Sequence, residues 1–211
     1  MVKINLAIFI SGKGTNLKSI SVACEKKNFP AKIKLVITDK DCDGYHLSKS
    51  LSYETILLNN CKTKFEFERK ANNLLKSKNI DLICLAGFMK VLSPKFVKNW
   101  KNRILNIHPS ILPLFPGLNT HQKVISSGMK IHGSTIHIVE NKLDSGPIIA
   151  QCAIPINSDE TKNLIEQRLK KFENILYVKA IEKFVKLHFQ SHNNKPFKKL
   201  KNNYNKVIFS I

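Results

Sequence analysis

Five apolar runs, separated by charged stretches with helical spacing, constrain this chain more than any other feature. INLAIFI (4–10), KIKLVIT (32–38), ETILL (54–58), IDLICLAG (80–87) and RILNI (103–107) each read as a strand, and the first ends in a Ser-Gly turn. The first is continuously apolar from Leu6 to Ile10 and the fourth from Leu82 to Ala86. A strand with one wet face alternates polar and apolar residues, whereas a continuous run needs cover on both faces. Helical stretches at 15–27 and 65–78 supply such cover, so the spacing predicts a parallel sheet between two helical layers. From Lys130 the pattern changes. KIHGSTIHIVE and GPIIAQCAIPI are long strands joined by NKLDS, which predicts an antiparallel pair. A helix is expected from about 160 to 188. The fold class expected is therefore α/β: doubly wound, mostly parallel, with helices on both faces and an antiparallel C-terminal strand pair.

At 211 residues the chain suits one large domain, here 1–189, followed by a Lys/Asn-rich tail at 190–211. No apolar run reaches the roughly 20 residues of a membrane helix. Five cysteines, without a CxxC pair, argue against a disulfide framework or a zinc cluster and for a reducing, cytoplasmic setting. The net charge of +20 raises the question of nucleic acid. However, 32 of the 35 basic residues are Lys, spread along the whole chain. Base and phosphate recognition by planar forks favours Arg. A solvated cationic surface that draws in small anions is expected, with no specific nucleic-acid partner.

Three short stretches carry chemistry. ISGKGTNL at the first strand–helix turn meets neither the P-loop nor the three-glycine dinucleotide pattern. Gly12 and Gly14 still allow close backbone approach, and Thr15 and Asn16 open a helix. Both a phosphate cradle and a plain turn with a Thr or Asn cap fit these residues. In NIHPS, Asn106 and His108 share one face of a strand, and Pro109 keeps His108 extended. They stand at the carboxyl end of an apolar strand, where open α/β sheets bind ligands. A capped strand end with a satisfied histidine fits as well. Asp144, before Gly146-Pro147, reads alone as a turn residue. His132 and His137 fall on opposite faces of one strand and cannot both serve one site.

Taken together, ISGKGTNL, LAGFMKVLSP, LNIHPSILPLFPGLNTH and HGSTIHIVENKLDSGPIIAQ resemble the formyltetrahydrofolate-dependent formyltransferases. The PGLNTH variant is similar to the members that formylate glycinamide ribonucleotide. The resemblance runs from residue 4 to about 185. It implies an enzyme of purine synthesis that moves a formyl group from 10-formyltetrahydrofolate to an amine, with no metal. It implies a catalytic triad of Asn106, His108 and Asp144, in which an amide and an imidazolium stabilise a developing oxyanion and the histidine acts as general acid. It places the ribonucleotide phosphate at Gly14, Thr15 and Asn16 and the ribose hydroxyls on Glu173. It places folate against Lys64, Met89, Lys90, Val91, Leu92, Asn106, Val139 and Glu140. On this basis 1–105 forms a phosphate-binding half and 106–189 a folate-binding and catalytic half. Lys90 stands where many members carry Arg, and Ser145 where they carry Gly or Ala. A cis Leu112–Pro113 peptide would fit the tight return of the proline-rich stretch.

Three other readings compete. Methionyl-tRNA formyltransferases share the triad but add a C-terminal RNA-binding domain, for which about 20 residues after the last helix are too few. Formyltetrahydrofolate hydrolases carry an N-terminal regulatory domain, whereas the first strand here starts at residue 4. A non-catalytic nucleotide- or RNA-binding module explains the glycine turn and the charge but not the triad. Small-molecule substrates and a monomer or homodimer are expected.

Overall fold

The computed structural model describes residues 3–189 and the short segment 208–210. One sheet organises them. Its strands are β1 (Ile4–Ile10), β2 (Ala31–Thr38), β3 (Thr55–Leu57), β4 (Leu82–Leu85), β5 (Ile104–His108), β6 (Ile131–Ile138), β7 (Ile148–Pro155) and β8 (Ile208–Ser210). They run in the order β3-β2-β1-β4-β5-β6-β7-β8. Strands β1 to β5 pair in parallel, while β6 is antiparallel to both β5 and β7. Thus the antiparallel pair inferred from sequence is present, and it is joined to the parallel part through β5. The expected boundary between 105 and 106 falls inside β5, so the sheet passes through it without a break. Of the tail expected from 190 to 211, only β8 is among the described residues; it pairs in parallel with β7. The remainder lies outside them.

Alternation along β1 shows why both faces are covered. Leu6, Ile8 and Ile10 point into a core shared with Leu17 and Ile20 of α1 (Thr15–Glu25) and with Leu169, Tyr177 and Phe184 of α6 (Lys162–His188). Ala7 and Phe9 point the other way, against Phe67, Ala71 and Leu75 of α3 (Lys64–Ser77) and Phe96 and Val97 of α4 (Pro94–Asn99). Each large side chain buried in this way contributes roughly 1.5–3 kcal/mol. Helix starts follow their sequence signals. Thr63 caps α3 by accepting from the Glu66 N–H, and Ser93 caps α4, with Pro94 in the first turn. Two further short helices are α2 (Asp43–Ser50) and α5 (Thr120–Ser126).

Strand order reverses between β1 and β4: the chain leaves β1 for β2 on one side and returns to β4 on the other. The crevice at their carboxyl ends is where such sheets take ligands. Below it, the buried Tyr177 hydroxyl lies 3.1 and 3.0 Å from the carbonyls of Leu85 and Leu105, linking α6 to the end of β4 and the start of β5.

Two glycines in the antiparallel part tolerate no side chain. A Cβ on Gly133 would lie 2.0 Å from the Cys152 carbonyl oxygen, and one on Gly146 would lie 1.9 Å from that of Ile138. Backbone cannot yield there as a flexible side chain could. Gly133→Ala is therefore expected to cost about 3 kcal/mol of stability, read as a lower urea midpoint. An unchanged midpoint would mean that β6 and β7 are less closely apposed.

Candidate active site

Strand β5 ends with Asn106 and His108 on the same face, and β6 brings His137 directly opposite Asn106. The turn between β6 and β7 carries Asp144, held in a left-handed conformation with φ 50. These elements gather four polar side chains. The His108 Nδ1 lies 3.4 Å from Asp144 Oδ2, and the His137 Nε2 lies 3.6 Å from Asp144 Oδ1. Asn106 Nδ2 is 3.1 Å from His137 Nε2. Asp144 also accepts from the Gly117 N–H at 2.9 Å. Burial pushes the Asp144 carboxyl up. The hydrogen bond with His137, the Gly117 N–H and the charges of His108 and His137 pull it down further, leaving it below the ordinary value.

Backbone carbonyls fix the histidine tautomers, because a carbonyl can only accept. His108 Nε2 is 3.0 Å from the Phe115 carbonyl, so it carries a hydrogen in either protonation state. The nitrogen that gains and loses a proton is then Nδ1, which faces Asp144. Likewise His137 Nδ1 lies 3.0 Å from the Ile138 carbonyl; in the neutral ring Nε2 then has a lone pair, and in the charged ring Nε2–H is the donor towards Asp144. The lone pair of the neutral ring accepts from Asn106, so the Asn106 amide is oriented with one N–H bound and the other available. From sequence, His137 is weighed only against His132, as two histidines that cannot both serve one site, and is not placed with Asn106 and His108. Its only signal is cross-strand register, and the 22 residues between β5 and β6 hide that register from sequence periodicity.

The proline-rich stretch after β5 is the wall of this site. The Leu112 N–H donates to the Thr135 hydroxyl at 3.0 Å, and that hydroxyl donates to the Ser110 carbonyl at 2.7 Å. Gln151 Nε2 donates to the Leu112 carbonyl at 2.9 Å. Ser110 Oγ–H donates to the Leu114 carbonyl at 2.6 Å. The Leu112–Pro113 peptide is cis. So anchored, the stretch aims the Phe115 carbonyl at His108 and the Gly117 N–H at Asp144. Phe115 itself has φ 53, a conformation rare for an aromatic residue and found where geometry is dictated by a site. In the Asp144 turn, Ser145 Oγ–H donates to the Lys142 carbonyl at 3.0 Å.

The other expected site residues fall into separate groups. Gly14 is itself the N-cap of α1, with φ 76 and no side-chain cap, so the Thr or Asn cap considered from sequence is not formed. The side chain of Asn16 is buried there with Oδ1 unpartnered. Gly44 of α2 seats against this turn, donating its N–H to the Gly12 carbonyl at 2.9 Å. Met89, Lys90 and Val91 are exposed after β4, whereas Leu92 turns into the core. Val139 packs at the edge of the core beside β5, and Glu140 is exposed. Glu173, buried on α6, accepts from Ser134 at 2.7 Å and Lys170 at 2.8 Å. Lys64 opens α3, away from the β5–β6 cluster in sequence and element. Among the described residues no group of three or more His, Cys, Asp or Glu side chains is arranged to hold a metal, and no helix is long and apolar enough to cross a membrane.

A buried carboxylate stands beside an imidazole and an oriented amide at the carboxyl ends of a doubly wound sheet, an arrangement that can serve group transfer. The family profile described as "Formyl transferase" matches residues 4–181, and the chain belongs to that family. Within it, the chain is 39% identical to the phosphoribosylglycinamide formyltransferase of Haemophilus influenzae over 183 residues, 85% of this chain and 86% of that relative. The crystal structure of phosphoribosylglycinamide formyltransferase from Brucella melitensis superposes with a TM-score of 0.81 at 39% identity, covering 86% of this chain and 95% of that one. Glycinamide ribonucleotide transformylase 1 from Symbiobacterium toebii superposes at 0.84 with 32% identity, covering 88% and 89%.

A second histidine pair sits behind the wall. His132 Nε2 lies 2.8 Å from His121 Nδ1, while His132 Nδ1 is buried without a partner. An unpartnered lone pair costs less than an unpartnered N–H, so Nε2–H of His132 is the donor. Burial, then the charges of His121 and His108, push the His132 pKa down to about 4. The folded state thus holds His132 neutral. Its contribution is fully present above the ordinary value of 6.5 and is lost as pH falls from there towards 4. Thermal midpoints should drop over that window, and His132→Gln should flatten the drop. An equal slope in the variant would assign the acid sensitivity to other groups.

Proposed function

We propose that this protein transfers the formyl group of 10-formyltetrahydrofolate to the amine of phosphoribosylglycinamide. The observation that carries the reading is the joint placement of Asn106, His108 and Asp144 around one point at the end of β5. Formyl transfer requires a C–N bond to form at the amine, the bond to the folate nitrogen to break, and one proton to pass from the amine to that nitrogen. The folate supplies the formyl carbon; the chain supplies charge and proton management. Negative charge growing on the formyl oxygen meets the free N–H of Asn106 and the Nδ1–H of His108. Asp144 stays ionised at neutral pH, since its carboxyl is held below the ordinary value. It faces His108 Nδ1 and can take the amine proton in passing.

Features of this chain fit both substrates. Around the first turn of α1 there is no side-chain cap and no acidic residue, which leaves backbone N–H groups for a phosphate, with Gly14 and Thr15 at the entrance and the Asn16 amide behind. The Glu173 carboxylate retains lone pairs beyond those used by Ser134 and Lys170 and suits ribose hydroxyls. Met89 and Val91 present exposed apolar side chains, at 66% and 54%, beside the crevice; such surface suits a flat pterin. Lys64, Lys90, Val139 and Glu140 are assigned to the folate rim on the family resemblance. The +20 charge then serves anionic small molecules, with no nucleic-acid partner invoked.

Purified protein should consume 10-formyltetrahydrofolate when phosphoribosylglycinamide is supplied, and neither with water alone nor with charged initiator tRNA. Turnover with either of the latter at a comparable rate would replace this assignment. His108→Ala should lower kcat by at least about a hundredfold with the fold intact by circular dichroism, as expected for a general acid. His137→Phe removes the acceptor that orients Asn106, and a fall of about tenfold is expected. Wild-type rates in either variant would remove that residue from the mechanism.

A further inference from the structure

At the carboxyl end of β2, Asp39 is engaged by groups that the triad and the phosphate turn do not use. Its side chain is only 9% exposed. Ser11 Oγ–H donates to Asp39 Oδ1 at 2.7 Å, and the Lys90 ammonium lies 3.7 Å from Oδ2. Ser11 stands immediately after β1, and its own N–H donates to the Gly87 carbonyl at 3.2 Å. Its hydroxyl oxygen accepts from the Met89 N–H at 3.0 Å. The ends of β1, β2 and β4 are therefore joined by one directed chain, from the Met89 N–H to the Ser11 hydroxyl to the Asp39 carboxylate. Lys90, which also lies over the Phe67 ring at 5.9 Å, closes it from the loop side.

The direction of this chain depends on Asp39. A hydroxyl has one hydrogen, and it can accept from Met89 only while that hydrogen points elsewhere. A carboxylate accepts and never donates, so it holds the Ser11 hydrogen on its own side and leaves a lone pair for Met89. Such linked hydrogen bonds strengthen one another in a buried setting. Without the carboxylate, the Ser11 hydrogen is free to swing, and the first residues of the loop lose their anchor. Doubly wound folds that bind dinucleotides commonly place a ribose-binding acid at the end of this strand. Here that acid is turned inward and spends its oxygens on the chain itself.

We propose that Asp39 is a positioning residue for the folate pocket: by setting the direction of the Ser11 hydroxyl it holds the Met89 amide, and with it the exposed Met89–Val91 rim, where the pterin packs. This rests on the assignment of that rim to folate in the preceding section. The test compares full-length wild type with Asp39→Ala and Asp39→Asn. In Asp39→Ala the KM for 10-formyltetrahydrofolate should rise about tenfold, the loss of one charge-assisted hydrogen bond. The KM for phosphoribosylglycinamide and kcat should stay within about twofold. Hydrogen exchange at the Met89 amide, measured on the protein without substrates, should quicken by about the same tenfold factor. Asp39→Asn keeps an oxygen that accepts from Ser11, so it should recover most of both effects. A Met89 amide that exchanges at the wild-type rate in Asp39→Ala overturns the relay. Faster exchange with an unchanged folate KM overturns its link to the pocket, and so does an equal loss across kcat and both KM values. Wild-type protein that transfers no formyl group at all overturns the functional assignment instead, and Met89 exchange still decides the relay.

Discussion

A carboxylate removed from water must be surrounded by donors, or it takes up a proton and ceases to be a charge. Much of this site follows from that requirement at Asp144, whose side chain is 6% exposed. One donor is the Gly117 N–H, which obliges the proline-rich stretch to fold back over the sheet. The imidazoles of His108 and His137 face it from adjacent antiparallel strands. Strand β6 runs against β5 after five parallel strands. Reversal puts His137 opposite Asn106 and sends the chain back within a short turn, so that Asp144 arrives beside both.

The layered fold was legible because its cause is local. Apolar runs such as INLAIFI and IDLICLAG need cover on both sides wherever they occur, and the helices lie next to them in sequence. Asn106 and His108 were legible as a pair for the same reason, since two-residue spacing in a strand is a statement about one face. Asp144 alone looked like a turn residue, and it is one; its φ of 50 and its role among the histidines come from the same turn. It entered the site only through family resemblance. His137 needed the register between β5 and β6, which leaves no trace in periodicity. Asp39 was invisible for a similar reason: its partners Ser11 and Lys90 lie 28 residues before it and about 50 after it.

Short helices escaped the sequence reading where the signal was brief. Helix α2 contributes little apolar surface, yet its Gly44 lies so close to the Gly12–Gly14 turn that a Cβ there would fall 2.6 Å from the Gly12 carbonyl. Glycine at position 44 is thus needed for the shape of a turn some 30 residues earlier in the chain. The departures noted at Lys90 and Ser145 also acquire partners. Lys90 faces Asp39, and the Ser145 hydroxyl closes the turn that carries Asp144. Neither is a gap in the site.

The hydrogen bond from His108 Nε2 to the Phe115 carbonyl has a consequence for proton traffic. An imidazole with both nitrogens open can pass a proton through its ring, in at one side and out at the other. This ring is plugged at one end by an atom that accepts a hydrogen bond and takes no proton at ordinary pH. A proton gained at Nδ1 must leave from Nδ1. Proton exchange by this ring is therefore confined to the side that faces Asp144, with no route through the imidazole to Phe115.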